Sequence, residues 1–239
     1  SPDRSTKVAD MPGVIFDLDG TLIDSYGAHF KAWISIADEL GHALTEPEFA
    51  ASFGRKNEPI IAELYGFVGV PVPDDAAVDA IAERKEKLYR GHIGGDAFPE
   101  MDGAVELVHA LQAAGWGIAI GSSAPRINVD FALERFTALG VDFDAVACGC
   151  DVVNGKPAPD VFLLAAERLS CETQNCIVFE DAAPGIEAGH RAGMVTVGIA
   201  STGRTRAELA EAHHVIDALH EHCPDSLRAL LDRCGVPSA

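Results

Sequence analysis

The sequence is short of positive charge: Lys and Arg total 18 against 37 Asp and Glu, a formal charge of −19. That deficit excludes the basic patches that nucleic acid or an anionic membrane surface would demand. An anionic substrate must therefore be drawn in by local positive charge rather than by the overall field. Metal-type cysteine spacing is missing too. The six cysteines (Cys148, Cys150, Cys171, Cys176, Cys223 and Cys234) form no Cys-x-x-Cys pair, and Cys148-Gly-Cys150 is the only close spacing. One pair cannot complete a tetrahedral zinc site, so reduced, mostly buried thiols in a cytoplasmic protein are expected. No apolar run approaches the ~18 residues of a membrane span, and no signal-peptide pattern is visible. Repeats and low-complexity tracts are absent as well. The polar stretch 1–10 is set aside as a leader outside the fold.

What is present is alternation. Apolar runs at Val14–Phe16, Ile118–Ile120, Ala145–Ala147, Ile177–Phe179, Val195–Ile199 and Val215–Ile216 are separated by stretches with helical spacing, such as Asp102–Ala114, Pro125–Leu139, Ala158–Leu169 and Pro184–Ala192. Gly115, Gly140 and Gly193 stand where such helices stop. Strand and helix in turn mean βαβ units and a parallel sheet sandwiched by helices, an α/β Rossmann-like core. One block departs from this rhythm. Residues 28–93 hold no buried strand and instead read as helices at Ala28–Leu40, Glu46–Phe53, Asn57–Tyr65 and Asp74–Gly91. The prolines in Gly66-Phe-Val-Gly-Val-Pro-Val-Pro disqualify it as a central strand. The expected organisation is a core of 11–27 and 94–239 with a small four-helix domain, 28–93, inserted after the first strand.

The chemistry gathers where the strands end. Ile15-Phe-Asp-Leu-Asp-Gly-Thr-Leu22 runs from a buried strand into Asp17 and Asp19, two carboxylates on the same side of an extended backbone. In an open parallel sheet the carboxyl ends of the strands bind ligands. Paired acids there repel unless a cation or a shared proton keeps both in place. The second core strand leads into Gly121-Ser122-Ser123-Ala124-Pro125, a helix start whose free amides and hydroxyls suit a phosphate, or else simply an N-cap. Lys156, stiffened by Pro157 and Pro159, is placed to neutralise a phosphoryl oxygen and to keep a carboxylate nucleophile ionised. Glu180-Asp181 ends another strand with two hard oxygen ligands suited to Mg2+.

These four segments, in this order, resemble the motifs of the haloacid dehalogenase (HAD) superfamily of phosphotransferases. The similarity covers roughly Met11 to Asp217 and is nearest to the β-phosphoglucomutase-like subgroup. Ala28-His-Phe-Lys-Ala-Trp33 and the basic pair Arg84-Lys85 resemble helices of that subgroup's cap. The resemblance implies Asp17 as nucleophile, Asp19 as general acid/base, and Ser122 and Lys156 as phosphate clamps. It further implies Mg2+ held by Asp17, the backbone of Asp19, Glu180 and Asp181. A cap hinged near Asp24–Gly27 and Gly94-Gly95 would exclude bulk water. Thr21, Ser123, His29, Arg55 and Lys85 are the expected substrate contacts, Asn57 a further polar candidate, and Lys85 could instead pair with Glu83, Glu86 or Asp79 on a helix surface.

The expected reaction is Mg2+-dependent hydrolysis of a small phosphorylated metabolite by a monomer, without nucleic acid or membrane partners. The competing reading is a β-phosphoglucomutase-type sugar phosphomutase. In that subgroup's mutases the first motif commonly continues Asp-Gly-Val-Ile, and a Ser-Arg-x-x-Ser loop grips a second phosphate. Here the chain reads Gly20-Thr21-Leu22 and Ser52-Phe-Gly-Arg55-Lys56-Asn57, without both gripping serines. Related dehalogenases and phosphonatases lack an acid at the position of Asp19. A non-catalytic phosphate-binding module would not be expected to keep Asp17, Asp19, Lys156 and Asp181 together.

Overall fold

The computed structural model describes residues 11–94, 98–201 and 203–234. Strand β1 (Gly13–Phe16) is buried throughout, as an apolar run without alternation should be in a parallel sheet covered on both faces. Four helices follow it: α1 (Tyr26–Glu39), α2 (Glu46–Ser52), α3 (Asn57–Phe67) and α4 (Asp75–Ile93). The alternating part then runs α5 (Ala104–Ala113), β2 (Gly117–Gly121), α6 (Arg126–Ala138), β3 (Ala145–Ala147), α7 (Asp160–Leu169), β4 (Cys176–Glu180), α8 (Ala183–Arg191), β5 (Val195–Ile199), β6 (His214–Ile216) and α9 (Pro224–Cys234). Every expected strand is present. Helix α9 was not anticipated, although Leu227, Leu230 and Leu231 are its buried positions and carry helical spacing.

The chain divides into two compact units, residues up to Asp24 with those from Glu100 onward, and Ser25–Pro99. In the first, six parallel strands lie in the order β3-β2-β1-β4-β5-β6. The chain builds outward from β1 in one direction through β2 and β3, and in the other through β4 to β6. The loops leaving β1, β2 and β4 are therefore neighbours at the sheet's centre, where the strand order switches direction. Register makes this concrete: Phe16 is level with Ile120 on one side and with Phe179 on the other. Phe16 and Phe179 stack at 5.0 Å. Ile15, Ala119 and Val178 of the sheet pack with Val161, Phe162, Ala165 and Leu169 of α7 and Ala188 of α8 in one buried cluster.

The helical unit has a separate core of Tyr26, Trp33, Ile36, Phe49, Phe53, Ile61 and Leu64. Tyr26 meets the rings of Phe49 and Phe53 edge-on at 4.9 and 5.1 Å, so α1 packs from its first residue. Local signals start its helices. Glu48 accepts from the amide and hydroxyl of Thr45 at 2.8 and 2.7 Å ahead of α2, and Asp74 accepts from Ala77 N at 3.0 Å to cap α4. Of the expected hinge segments, Gly95 lies outside the described residues, as does the stretch 1–10. Among the described residues no helix is long and apolar enough to cross a membrane.

Candidate active site at the strand ends

Asp17 is the first residue beyond β1, and its amide still donates to Phe179 O at 2.9 Å, so the carboxylate is held by the sheet's own ladder. Glu180 closes β4 one register step away, and Asp181 follows it. Carboxylate oxygens of Asp17, Glu180 and Asp181 all lie within 4.8 Å of one another, and all three residues are buried. Lys156 arrives from the loop between β3 and α7. Its Nζ donates to Asp17 Oδ1 at 2.5 Å and to Glu180 Oε1 at 2.6 Å, with its side chain 5% exposed. Burying an ammonium costs several kcal/mol, so it must be matched by close carboxylates. Those pairs hold Lys156 charged, with its pKa above the ordinary lysine range despite burial.

The acids outnumber the bases. Burial, then the charges of Glu180 and Asp181, push the Asp17 carboxyl well above the usual range, and the downward pull of Lys156 does not cancel them. Lys156 acts against that rise, as a cation beside a carboxylate should. Asp181 is pushed up to about 7 by burial first and by Glu180 next, with Arg204 and Lys156 acting against it. Its Oδ2 makes no hydrogen bond among the described residues, and Arg204 Nε stands 3.5 Å away. Gly20 explains how Asp181 fits. A Cβ on Gly20 would lie 2.3 Å from Asp181 Oδ2, and the backbone there is left-handed at φ +82, so both space and conformation require glycine in Asp-x-Asp-Gly.

The donor set suits a divalent oxygen-seeking cation. It is a cluster of buried carboxylates, one with an unbonded oxygen, carrying more negative charge than its neighbours offset. Asp17 and Asp181 are the side chains best placed to hold it. Glu180 is already engaged twice, by Lys156 at Oε1 and by Ala182 N at Oε2, 3.0 Å away. Asp19 stands apart in accessibility. It is half-buried, not fully desolvated, and its carboxylate is outside the cluster.

The β2 loop differs from a simple helix cap. Pro125, not a serine, is the N-cap of α6, and no side-chain cap bond forms. Ser122 is buried and its Oγ accepts from Ala124 N at 3.0 Å, while its own amide donates to Ala147 O at 3.0 Å. Ser123 is half-buried beside it. Thr21 is completely buried, and its hydroxyl has no hydrogen-bond partner among the described residues.

The helical unit sorts its candidates differently from their sequence positions. Lys85 is buried, 2.9 Å from both His29 Nδ1 and Glu86 Oε1, and it sits over the rings of Trp33 and Tyr89 at 5.2 and 5.6 Å. His29 stacks flat on Tyr89 at 3.9 Å, and Asn57 donates to Glu86 at 2.7 Å. The pairing of Lys85 with Glu86 is therefore interior, not on a helix surface. Arg84, next in sequence, points outward to Glu39 at 2.6 Å. Arg55 is also exposed, bound to Glu63 at 2.9 Å. Sequence reasoning overlooked Arg204. It follows β5 as Asp181 follows β4, and applying the strand-end rule once more would have found it.

The cysteines are less uniformly buried than composition suggests. Cys148, Cys171 and Cys176 are buried, Cys234 is intermediate, and Cys150 and Cys223 are exposed; all six are free thiols.

Residues 11–193 match the haloacid dehalogenase-like hydrolase family. The Beta-phosphoglucomutase of Mycobacterium bovis is 31% identical, over 91% of this chain and 94% of that protein. The Validoxylamine A 7'-phosphate phosphatase of Streptomyces hygroscopicus subsp. limoneus is 33% identical over 87% of this chain and 93% of its own length. The crystal structure of a HAD hydrolase, family IA, variant 3, from Entamoeba histolytica superposes with a TM-score of 0.83 at 30% identity, covering 93% of this chain and all of that one. The chain also matches 18% of the much longer Protein SUPPRESSOR OF QUENCHING 1, chloroplastic, of Arabidopsis thaliana, at 33% identity. With its parallel sheet, helical insert and strand-end acids, this chain belongs to the haloacid dehalogenase-like hydrolases and is similar to their β-phosphoglucomutase-like branch.

Proposed function

We propose that the protein is a Mg2+-dependent phosphatase of small phosphorylated metabolites, with a phosphorylated sugar or a similar polyol ester as substrate, and that it works through an aspartyl phosphate on Asp17. The observation that carries this reading is the buried grouping of Asp17, Glu180 and Asp181 around Lys156 at the switch point of the sheet. A cation held by Asp17, Asp181 and the backbone of Asp19, with Glu180 alongside, would offset charge on the phosphoryl oxygens.

The chain's own groups do the rest. Asp17 Oδ bonds to phosphorus as the ester P–O bond breaks, and Asp19 gives its proton to the departing alkoxide. Asp19, now ionised, takes a proton from the water that attacks phosphorus, which frees Asp17 and releases inorganic phosphate. Asp19's partial access to solvent suits a group that exchanges protons in both halves. Lys156 and the Ser122–Ser123 loop hold the phosphoryl oxygens, with the buried hydroxyl of Thr21 a further donor. Substrate choice is assigned to His29 and Lys85, with Arg55 as an exposed auxiliary.

The relative named as a 7'-phosphate phosphatase supports hydrolysis, and the one named as a phosphoglucomutase supports transfer to a second sugar hydroxyl. Loss of both gripping serines around Arg55 favours hydrolysis, since a mutase must hold the second phosphate of a bisphosphate. Phosphate release is to be measured over a panel of phosphorylated metabolites with Mg2+ and with EDTA. A separate reaction takes β-glucose 1-phosphate with a trace of glucose 1,6-bisphosphate. Rapid glucose 6-phosphate formation with negligible free phosphate would overturn the hydrolase reading. Phosphate release that weakens chiefly through KM in Arg55→Ala would support it.

A further inference from the structure

Cys148, Gly149 and Cys150 follow β3 directly and belong to no part of the mechanism above. Cys148 is fully buried and Cys150 exposed, yet their Sγ atoms are 2.8 Å apart, inside ordinary van der Waals contact. The same turn is the support of the phosphate loop. Gly149 N donates to Ala124 O at 3.0 Å, and Ser122 N donates to Ala147 O at 3.0 Å. A Cβ on Gly149 would lie 2.3 Å from Ser123 O, so the two loops touch backbone to backbone with no slack.

We propose that Cys148 and Cys150 are an oxidisable dithiol, closed to a disulfide by a hydroperoxide, and that closure displaces the Ser122–Ser123 loop and slows the enzyme. The last clause rests on the hydrolase reading above; the disulfide does not. Exposed Cys150 reacts first: its thiolate attacks the peroxide, the O–O bond breaks, and a sulfenic acid and an alcohol are formed. Cys148 then attacks that sulfur, the S–S bond forms, and water leaves with the sulfenic oxygen and the thiol proton. The two sulfurs lose two electrons in all and the peroxide gains them. Division of labour follows from surroundings. Burial pushes the Cys148 thiol up to about 11, so it is a poor first nucleophile, and contact with Cys150 makes it a ready resolving thiol. Ring closure over a single glycine must turn the Gly149 peptide, which is the group bonded to Ala124 and packed on Ser123.

A soft-metal site is the rival use of these atoms, and the geometry disfavours it. The third donor, Asp151, is already taken by Cys148 N at 3.0 Å and by Arg168 at 2.8 Å, leaving two sulfurs where such a site wants four ligands. Cys171 and Cys176 are a second pair close in sequence, both buried and each donating to Glu172 O, so the peptide map must tell the pairs apart.

The test treats the full chain with hydrogen peroxide, alkylates it under denaturing conditions and maps the peptides by mass. The expected result is a peptide holding Cys148 and Cys150 unalkylated and two hydrogens lighter, reversed by dithiothreitol and absent in Cys150→Ser. Two alkylated thiols in that peptide after oxidation would overturn the dithiol, as would zinc retained by the native protein and lost in Cys150→Ser. Coupling is read twice. Phosphate release should fall about tenfold or more on oxidation and recover on reduction, as expected when a phosphate-holding loop shifts by a fraction of an ångström to an ångström. Hydrogen exchange of the peptide spanning Ser122–Arg126 should rise in the same samples. Unchanged exchange and unchanged rate in a disulfide-closed sample would break the link to the loop. A protein inactive in both states, with the exchange change present, would instead fail the hydrolase reading alone.

Discussion

Each unit of the protein buries a lysine against a glutamate, and the two arrangements are opposites. Lys85 in the helical unit is paired with its neighbour Glu86, beside the imidazole of His29 and over the faces of Trp33 and Tyr89. Lys156 is outnumbered. Among the described residues, Asp17, Glu180 and Asp181 gather within 4.8 Å of one another, with Lys156 donating to the first two and Arg204 3.5 Å from the third. A balanced buried pair keeps a side chain in place; an unbalanced one stores a demand for a cation. On the proposed function, the chemistry belongs to the acids and lysine of the α/β unit.

The largest effect should come from removing the attacking atom. Asp17→Asn should lower phosphate release by more than the ~10²–10⁴ typical of losing a single acid/base group, while its melting temperature equals or exceeds that of the wild type. Residual activity above about a hundredth of wild type would end the covalent mechanism.

Replacing each lysine sharpens the contrast. Lys156→Met should cost about 10²–10³ in kcat, because it removes the cation that faces the phosphoryl oxygens. Lys85→Met should instead destabilise by about 3–5 kcal/mol, since it strands the buried Glu86 carboxylate. Denaturant titration separates these outcomes, and Lys85→Met with Glu86→Gln should regain much of the loss. A Lys85→Met variant as stable as the wild type would overturn the structural role of that pair.

Cation demand can be read without turnover. Mg2+ at a hundred times its dissociation constant should stabilise the folded chain by about 2.7 kcal/mol, visible as a rise in melting temperature. Asp181→Asn should abolish most of that rise, and Glu86→Gln should leave it intact. A rise surviving in Asp181→Asn would move the cation elsewhere.

The smallest effect is on the pH dependence of the α/β unit. His222, before α9, packs against Phe179 and His214, and burial followed by the nearby His214 lowers its pKa to about 4. The unfolded chain takes up that proton near pH 6.5 and the folded one only near 4. The contribution is thus complete above about pH 6.5 and lost as pH falls towards 4. His222→Phe should flatten the melting-temperature profile across that window; an unaltered slope would assign it to other groups.

Much of this was legible in the chain itself. Apolar runs without alternation marked the four central strands β1, β2, β4 and β5, buried at every residue, because a strand covered on both faces has no polar side to show. Asp17, Lys156, Glu180 and Asp181 were legible because acids and a proline-flanked lysine directly after such runs fall at strand ends. Gly20 belongs to the same local logic, since its left-handed turn is written into the residue type. What distances decided is of another kind. That Lys85 turns inward while Arg84 turns out, that Arg204 stands beside Asp181, and that Cys148-Gly-Cys150 rests on the phosphate loop all depend on which segments meet. Strand order and helix packing bring together residues far apart in the chain, and pairwise energies such as desolvation, Coulomb attraction and van der Waals contact exist only once they have met.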